Sequence, residues 1–267
     1  MNNRISTKFA ELKSANESAF VAYLCAGDPD YKRSLEAMIA LDKSGADVIE
    51  VGVPFSDPLA DGIVNQMAAA RALNAGMTVN KTLKLINDFR QNSKTPIVIF
   101  TYLNPVYNYG FEKFHKDAAL NGADGILILD LPPDEQSIND ELCEHHELVP
   151  IRLIAPTTPK NRIKEISDEA NGFIYYVSRE GVTGKQTTLN DNIEQQVNNL
   201  KELTDLPLVV GFGISTADQA STVARIADGV VVGSAIVDFI AQNIKSDELG
   251  NNLTNFVTPL IEATKNI

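Results

Sequence analysis

Two carboxylates, Glu50 and Asp61, stand eleven positions apart on either side of the stretch Gly52-Val53-Pro54-Phe55-Ser56-Asp57-Pro58-Leu59-Ala60. Glu50 follows Ala46-Asp47-Val48-Ile49, a short, partly β-branched apolar run that reads as a buried strand. Side chains alternate along a strand, so Glu50 points with Val48 and away from Ile49 and Val51. If both faces are covered, the carboxylate enters a partly buried place with no sequence-near Lys or Arg. Asp61 lies across a loop stiffened by Pro54 and Pro58, followed by Gly62. Two carboxylates facing one small cavity are suited to acid–base chemistry. The plainer alternative pairs Glu50 with a distant cation and makes Asp61 the cap of the next helix.

The elements that must position this pair form a regular series. A helix over 4–17, with Ile5, Phe9 and Leu12 at helical spacing, precedes strand one at 20–24. Then come a helix at 31–43, strand two at 47–51, helices at 64–74 and 79–92, and strand three at 96–101. A helix at 111–121, strand four at 126–129, a helix at 133–145 and strand five at 149–154 follow. The series ends with a helix at 161–169, strand six at 173–177 and a helix at 193–203. Strand seven at 208–210, a helix at 216–226, strand eight at 230–232, a short helix from Ser234 and a last helix at 249–264 complete it. Continuous apolar strands alternating with helices indicate a parallel sheet covered on its faces. Gly45-Ala46-Asp47, Gly122-Ala123-Asp124 and Ala227-Asp228-Gly229 precede strands two, four and eight, with Asn171-Gly172 before strand six. Small residues at alternate helix-to-strand turns suit a closed (β/α)8 barrel, whose alternate strands fill alternate interior layers. The rival is an open doubly wound sheet, but the turn after strand one is Ala26-Gly27-Asp28-Pro29 rather than a dinucleotide-type glycine turn. Residues 1–267 therefore read as a single barrel domain with no linker, a length such barrels commonly have.

Composition narrows the function. The formal net charge of −12, without a Lys/Arg cluster, disfavours nucleic acid and anionic membrane as partners. No apolar run is long enough to span a bilayer, and the N-terminus lacks the apolar core of a signal peptide. Cys25 and Cys143 suggest no disulfide framework, which fits a reducing cytoplasm. His115, His145 and His146 are not spaced as metal ligands.

Function in this architecture collects at the C-terminal ends of the strands. Gly181-Val182-Thr183-Gly184, Gly211-Phe212-Gly213 and Gly233-Ser234 follow strands six, seven and eight, and Ser234 opens a helix. Glycines let backbone N–H groups approach an anion, and a helix N-terminus adds partial positive charge, so these ends suit a phosphate. Near the same mouth lie Tyr102-Leu103-Asn104-Pro105, Asp130-Leu131-Pro132-Pro133, Ala155-Pro156-Thr157-Thr158 and Tyr175. Asp130 reads as a loop-ordering or helix-capping acceptor. Tyr102 and Tyr175 are either ligand contacts or core aromatics.

Taken in order along nearly the whole chain, Glu50 through Gly62, these motifs and Ser178 resemble the tryptophan synthase alpha subunit family. The resemblance implies a TIM barrel that cleaves indole-3-glycerol phosphate to indole and glyceraldehyde 3-phosphate. It implies no metal or organic cofactor, and a beta-subunit partner in an αββα heterotetramer. It makes Glu50 the acid/base at indole C3 and the side-chain hydroxyl, and Asp61 the carboxylate that stabilises positive charge at the ring nitrogen. Gly184, Gly213, Gly233 and Ser234 would hold the phosphate. Tyr23, Phe100, Leu127, Leu129, Ile154 and Phe212 are candidates to surround the indole, each also able to serve as barrel core. Thr183 would meet Asp61 when a mobile loop at 179–189 closes. The chain departs from the family at Ile63-Val64-Asn65-Gln66, where Pro-x-Ile-Gln is common, at Tyr23, where Phe is common, and at Glu180, where Ala is frequent. A phosphosugar isomerase or epimerase, a self-sufficient indole-releasing lyase and a non-catalytic phosphate-binding barrel are the alternatives.

Overall fold

The computed structural model describes residues 3–132, 135–177, 193–211, 213–265 and 267. The chain begins with α1 (Arg4–Ala15), β1 (Ala19–Cys25), α2 (Tyr31–Lys43), β2 (Val48–Gly52), α3 (Ile63–Asn74) and α4 (Val79–Arg90). It continues through β3 (Ile97–Thr101), α5 (Leu103–Tyr109), α6 (Phe111–Leu120), β4 (Gly125–Ile128) and α7 (Gln136–His145). Next are β5 (Val149–Pro150), β6 (Arg152–Ile154), α8 (Lys160–Glu169), β7 (Ile174–Val177) and α9 (Ile193–Lys201). Last come β8 (Leu208–Gly211), α10 (Ala217–Ala224), β9 (Gly229–Val232), α11 (Ser234–Gln242) and α12 (Leu249–Lys265). No helix among the described residues is long and apolar enough to cross a membrane.

The strands pair in parallel in the order β5-β4-β3-β2-β1-β9-β8-β7-β6. β5 and β6 stand at opposite ends of that order yet are separated only by Ile151, so the segment 149–154 brings the sheet round into a barrel. The sequence suggested one strand here, and Pro150 explains the division. Val149 and Ile151 donate to the Asp124 and Ile126 carbonyls on the β4 side. The intervening donor would face β7, but proline has none, so pairing with β7 begins at Arg152 opposite Ile174. The helix α5 is a second difference, since the sequence pattern places no helix between strand three and the helix at 111–121. Its Pro105 falls in the first turn, where a missing N–H is tolerated. Asp130 Oδ1 accepts the Leu103 N–H at the start of that helix.

Alternate residues build two cores. Val21, Val48, Val98, Leu127, Ile151, Tyr175, Val209 and Val231 fill the interior, with Ile5, Phe9 and Leu12 of α1 packed against them from below. Phe20, Ile49, Val51, Ile97, Ile99, Ile126, Val210 and Val230 face the surrounding helices. The repeated Asp residues pin the lower rim. Asp47, Asp124 and Asp228 accept the backbone N–H of Phe20, Ile97 and Leu208 at 2.8, 2.8 and 2.9 Å. Each donates its own N–H to the carbonyl of that same residue. Lys265 pairs with Asp47, Arg4 and Arg90 with Asp124, and Lys201 with Asp228. Gly45 and Gly122, at φ 97° and 92°, end the preceding helices in a conformation that other residues rarely adopt. The barrel is thus fastened at its base, and chemistry is left to the opposite rim.

Candidate active site

Glu50 sits in β2, in register with Tyr23 of β1 and Val98 of β3. It points into the barrel with Val48. It is 0% exposed, and neither carboxyl oxygen has a hydrogen-bond partner among the described residues. Burial alone pushes its pKa up to about 8, so near neutral pH the group is held largely as the acid. Among the described residues no cation pairs with it, against the alternative of a distant counter-ion.

Asp61, 8% exposed, lies in the loop between β2 and α3. The Tyr102 hydroxyl donates to its Oδ2 at 2.9 Å, and the Asn65 amide lies 3.4 Å from its Oδ1. Burial raises its pKa, and these two donors pull it back down. The Tyr102 hydroxyl also accepts the Ala60 N–H at 3.0 Å, and the Phe55 ring packs 5.4 Å from that of Tyr102. Both hydroxyl functions are thus used within the protein, and Tyr102 holds Asp61. Asp61 is not the cap of α3: Gly62 occupies that position with no side-chain cap. The helix starts at Ile63, so Ile63 in place of proline leaves its first turn intact.

Tyr23 of β1 and Tyr175 of β7 both lie within electrostatic reach of Glu50 and Asp61. Burial raises both phenol pKa values most, and charge on Asp61 and Glu50 raises both further. The two carboxylates therefore act on the same two hydroxyls. Glycines make room for these rings: a Cβ on Gly52 would lie 2.5 Å from the Tyr23 hydroxyl, and one on Gly211 would lie 2.9 Å from that of Tyr175. Phe100 meets Tyr23 edge-on at 5.2 Å. Leu127 lies in the inner core with Leu129 packed on it. Ile154 is a correction. It belongs to the outer core, and Leu153 is the residue that packs against the interior. Alternation from Ile151 was the signal that could have found it.

At the ends of the neighbouring strands β8 and β9, Gly213 adopts φ 70° and Gly233 precedes α11. No side chain caps that helix, and Ser234 is its first residue. This arrangement leaves first-turn N–H groups able to meet an anion. Thr183, Gly184, Phe212, Ser178 and the loop 179–189 lie outside the described residues. Among the described residues no His, Cys, Asp or Glu cluster could hold a metal. His115 is instead buried against Asn139 and the Phe111 carbonyl.

Comparison with known proteins agrees with this geometry. The family model described as tryptophan synthase alpha chain matches residues 9–264. A tryptophan synthase alpha chain from Opitutus terrae is 48% identical over 246 residues, 92% of each chain. One from Geotalea uraniireducens is 45% identical over 263 residues, 98% of each chain. The crystal structure of tryptophan synthase subunit alpha from Legionella pneumophila superposes with a TM-score of 0.93 at 36% identity, covering 100% of both chains.

Proposed function

Because the chain belongs to the tryptophan synthase alpha chain family, we infer that Glu50 and Asp61 carry out its reaction. That reaction is the retro-aldol cleavage of indole-3-glycerol phosphate to indole and glyceraldehyde 3-phosphate, a step of tryptophan biosynthesis. Glu50, resting as a neutral acid, delivers its proton to indole C3 and turns the ring into an electron sink. Asp61, oriented by Tyr102, faces the ring nitrogen and balances the positive charge that forms there. Glu50, now a carboxylate, takes the proton of the side-chain hydroxyl as the carbon–carbon bond breaks. Gly213, Gly233 and Ser234 receive the phosphate, with Tyr23, Phe100, Leu127, Leu129 and Tyr175 around the rest of the substrate. The observation that carries this reading is Glu50 itself: a fully buried carboxyl without a partner among the described residues. Burial favours its neutral form, and its charged form has no counter-ion among the described residues, which is the poise a proton shuttle needs.

The family works with a beta subunit. The αββα assembly is part of the same reading. Leu59, Ile63 and Met67 form an exposed apolar strip along the loop and first turns of α3, and Tyr107 is exposed on α5. The hydrogen bond from Ala60 to Tyr102 ties these two segments together at the mouth. Apolar side chains clustered there suit a docked partner that collects indole. Indole release from indole-3-glycerol phosphate, assayed with and without added beta subunit, tests both parts. No release under either condition overturns the assignment of Glu50 and Asp61.

A further inference from the structure

We propose that the Tyr23 hydroxyl donates a hydrogen bond to the substrate's side-chain oxygen as that oxygen loses its proton and becomes the aldehyde oxygen. This rests on the reading of Glu50 given above. Tyr23 and Glu50 are register partners on adjacent parallel strands, so their side chains enter the barrel side by side. The phenol reaches past Glu50 toward the mouth, lying over Gly52 two residues further along the same strand. Phe100 fixes the ring from one side, and a Cβ on Gly233 would lie 3.4 Å from the Tyr23 Cβ. The side chain is 7% exposed.

Its hydroxyl has no hydrogen bond within the described residues. The phenols of Tyr31, Tyr102, Tyr109 and Tyr176 do, to Asp88, Asp61, Asp117 and Gln196. The donor hydrogen of Tyr23 is therefore open to a ligand oxygen at that point. Burial, with Asp61 adding to it, keeps the phenol protonated, so it acts as a donor. In the cleavage step the substrate O–H proton passes to the Glu50 carboxylate and the C=O bond forms. The electron pair of the broken carbon–carbon bond returns to the ring and neutralises its nitrogen. Tyr23 keeps its proton throughout and stabilises the negative charge developing on oxygen.

The test compares wild type and Tyr23→Phe in steady-state indole release. It also measures inhibition by indole-3-propanol phosphate, which is the substrate without its two side-chain hydroxyls. The expected result is a kcat lowered on the order of 10- to 100-fold, with KM changed less than about threefold and the inhibition constant unchanged. A kcat within about twofold of wild type overturns the proposal. So does a parallel loss of inhibitor affinity, which would mean that the hydroxyl serves ring packing. If wild type releases no indole, the reading of Glu50 fails and takes this inference with it.

Discussion

The Tyr102 hydroxyl lies 2.9 Å from Asp61 Oδ2 and accepts the Ala60 N–H at 3.0 Å, so one phenol fixes both the carboxylate and the loop that presents it. The two residues are 41 positions apart and meet because β2 and β3 are neighbours. Tyr102→Phe therefore removes a donor that lowers the Asp61 pKa. The expected outcome is a kcat reduced on the order of tenfold or more, with the acid limb of the pH–rate profile moved to higher pH. An unshifted limb would separate Tyr102 from Asp61.

Glu50→Gln should abolish turnover by about three orders of magnitude or more while changing stability in a pH-dependent way. The folded state holds the Glu50 proton more tightly than the unfolded chain between its ordinary pKa of 4.5 and about 8. Stability from this group is therefore lost as pH rises through that window. At ~1.4 kcal/mol per pKa unit, removing the charge gains at most about 4–5 kcal/mol at pH 9 and little at pH 4. Urea unfolding of both proteins at the two pH values checks the sign.

In the intact enzyme the same proton should control rate. Since the first step uses the protonated form of Glu50, kcat/KM should fall above a pH near 8. Rate measurements from pH 5 to 10 test this, and a profile that climbs steadily through pH 9 would make the ionised form the active one.

The lower rim offers a change without catalytic consequence. Asp124 accepts the Ile97 N–H and pairs with Arg4 and Arg90 while 3% exposed. Asp124→Ala leaves the buried Ile97 N–H without its acceptor and removes the carboxylate facing Arg90, whose guanidinium keeps only the Ser93, Thr95 and Gly122 carbonyls, at a cost of about 2–4 kcal/mol. Chemical denaturation should register that loss, while KM and kcat of the folded fraction stay near wild type.

Docking can be separated from chemistry on α3. Met67→Glu and Ile63→Glu place charge on the exposed apolar strip without touching Glu50 or Asp61. Indole release by the isolated chain should be unchanged, and stimulation by the beta subunit should fall at least tenfold. Unchanged stimulation would move the docking surface elsewhere.

Much of the architecture was legible in the chain itself. Eight apolar stretches, each followed by helical spacing, implied covered parallel strands, because a strand buried on both faces needs no polar alternation. Glu50 stood out as a charge inside such a stretch. Pro150 shows where this kind of reading stops, since a residue without an N–H divides one strand between two partners. Ile154 shows it again: motif position placed it in the pocket, whereas the side-chain parity continuing from Ile151 turns Leu153 inward. Asn65 and the repeated Asp clamps were visible as residues, but not as hydrogen-bond partners.

By itself, the sequence determined the period and order of the elements, and with them the rim on which chemistry would gather. Backbone geometry is set locally, by which residues within a few positions can share a face or end a turn. Only the folded barrel decided that Glu50 has no hydrogen-bond partner among the described residues and that Tyr102 serves Asp61. Desolvation and hydrogen bonding depend on atoms that the chain brings together from opposite parts of the ring, so no local pattern carries them.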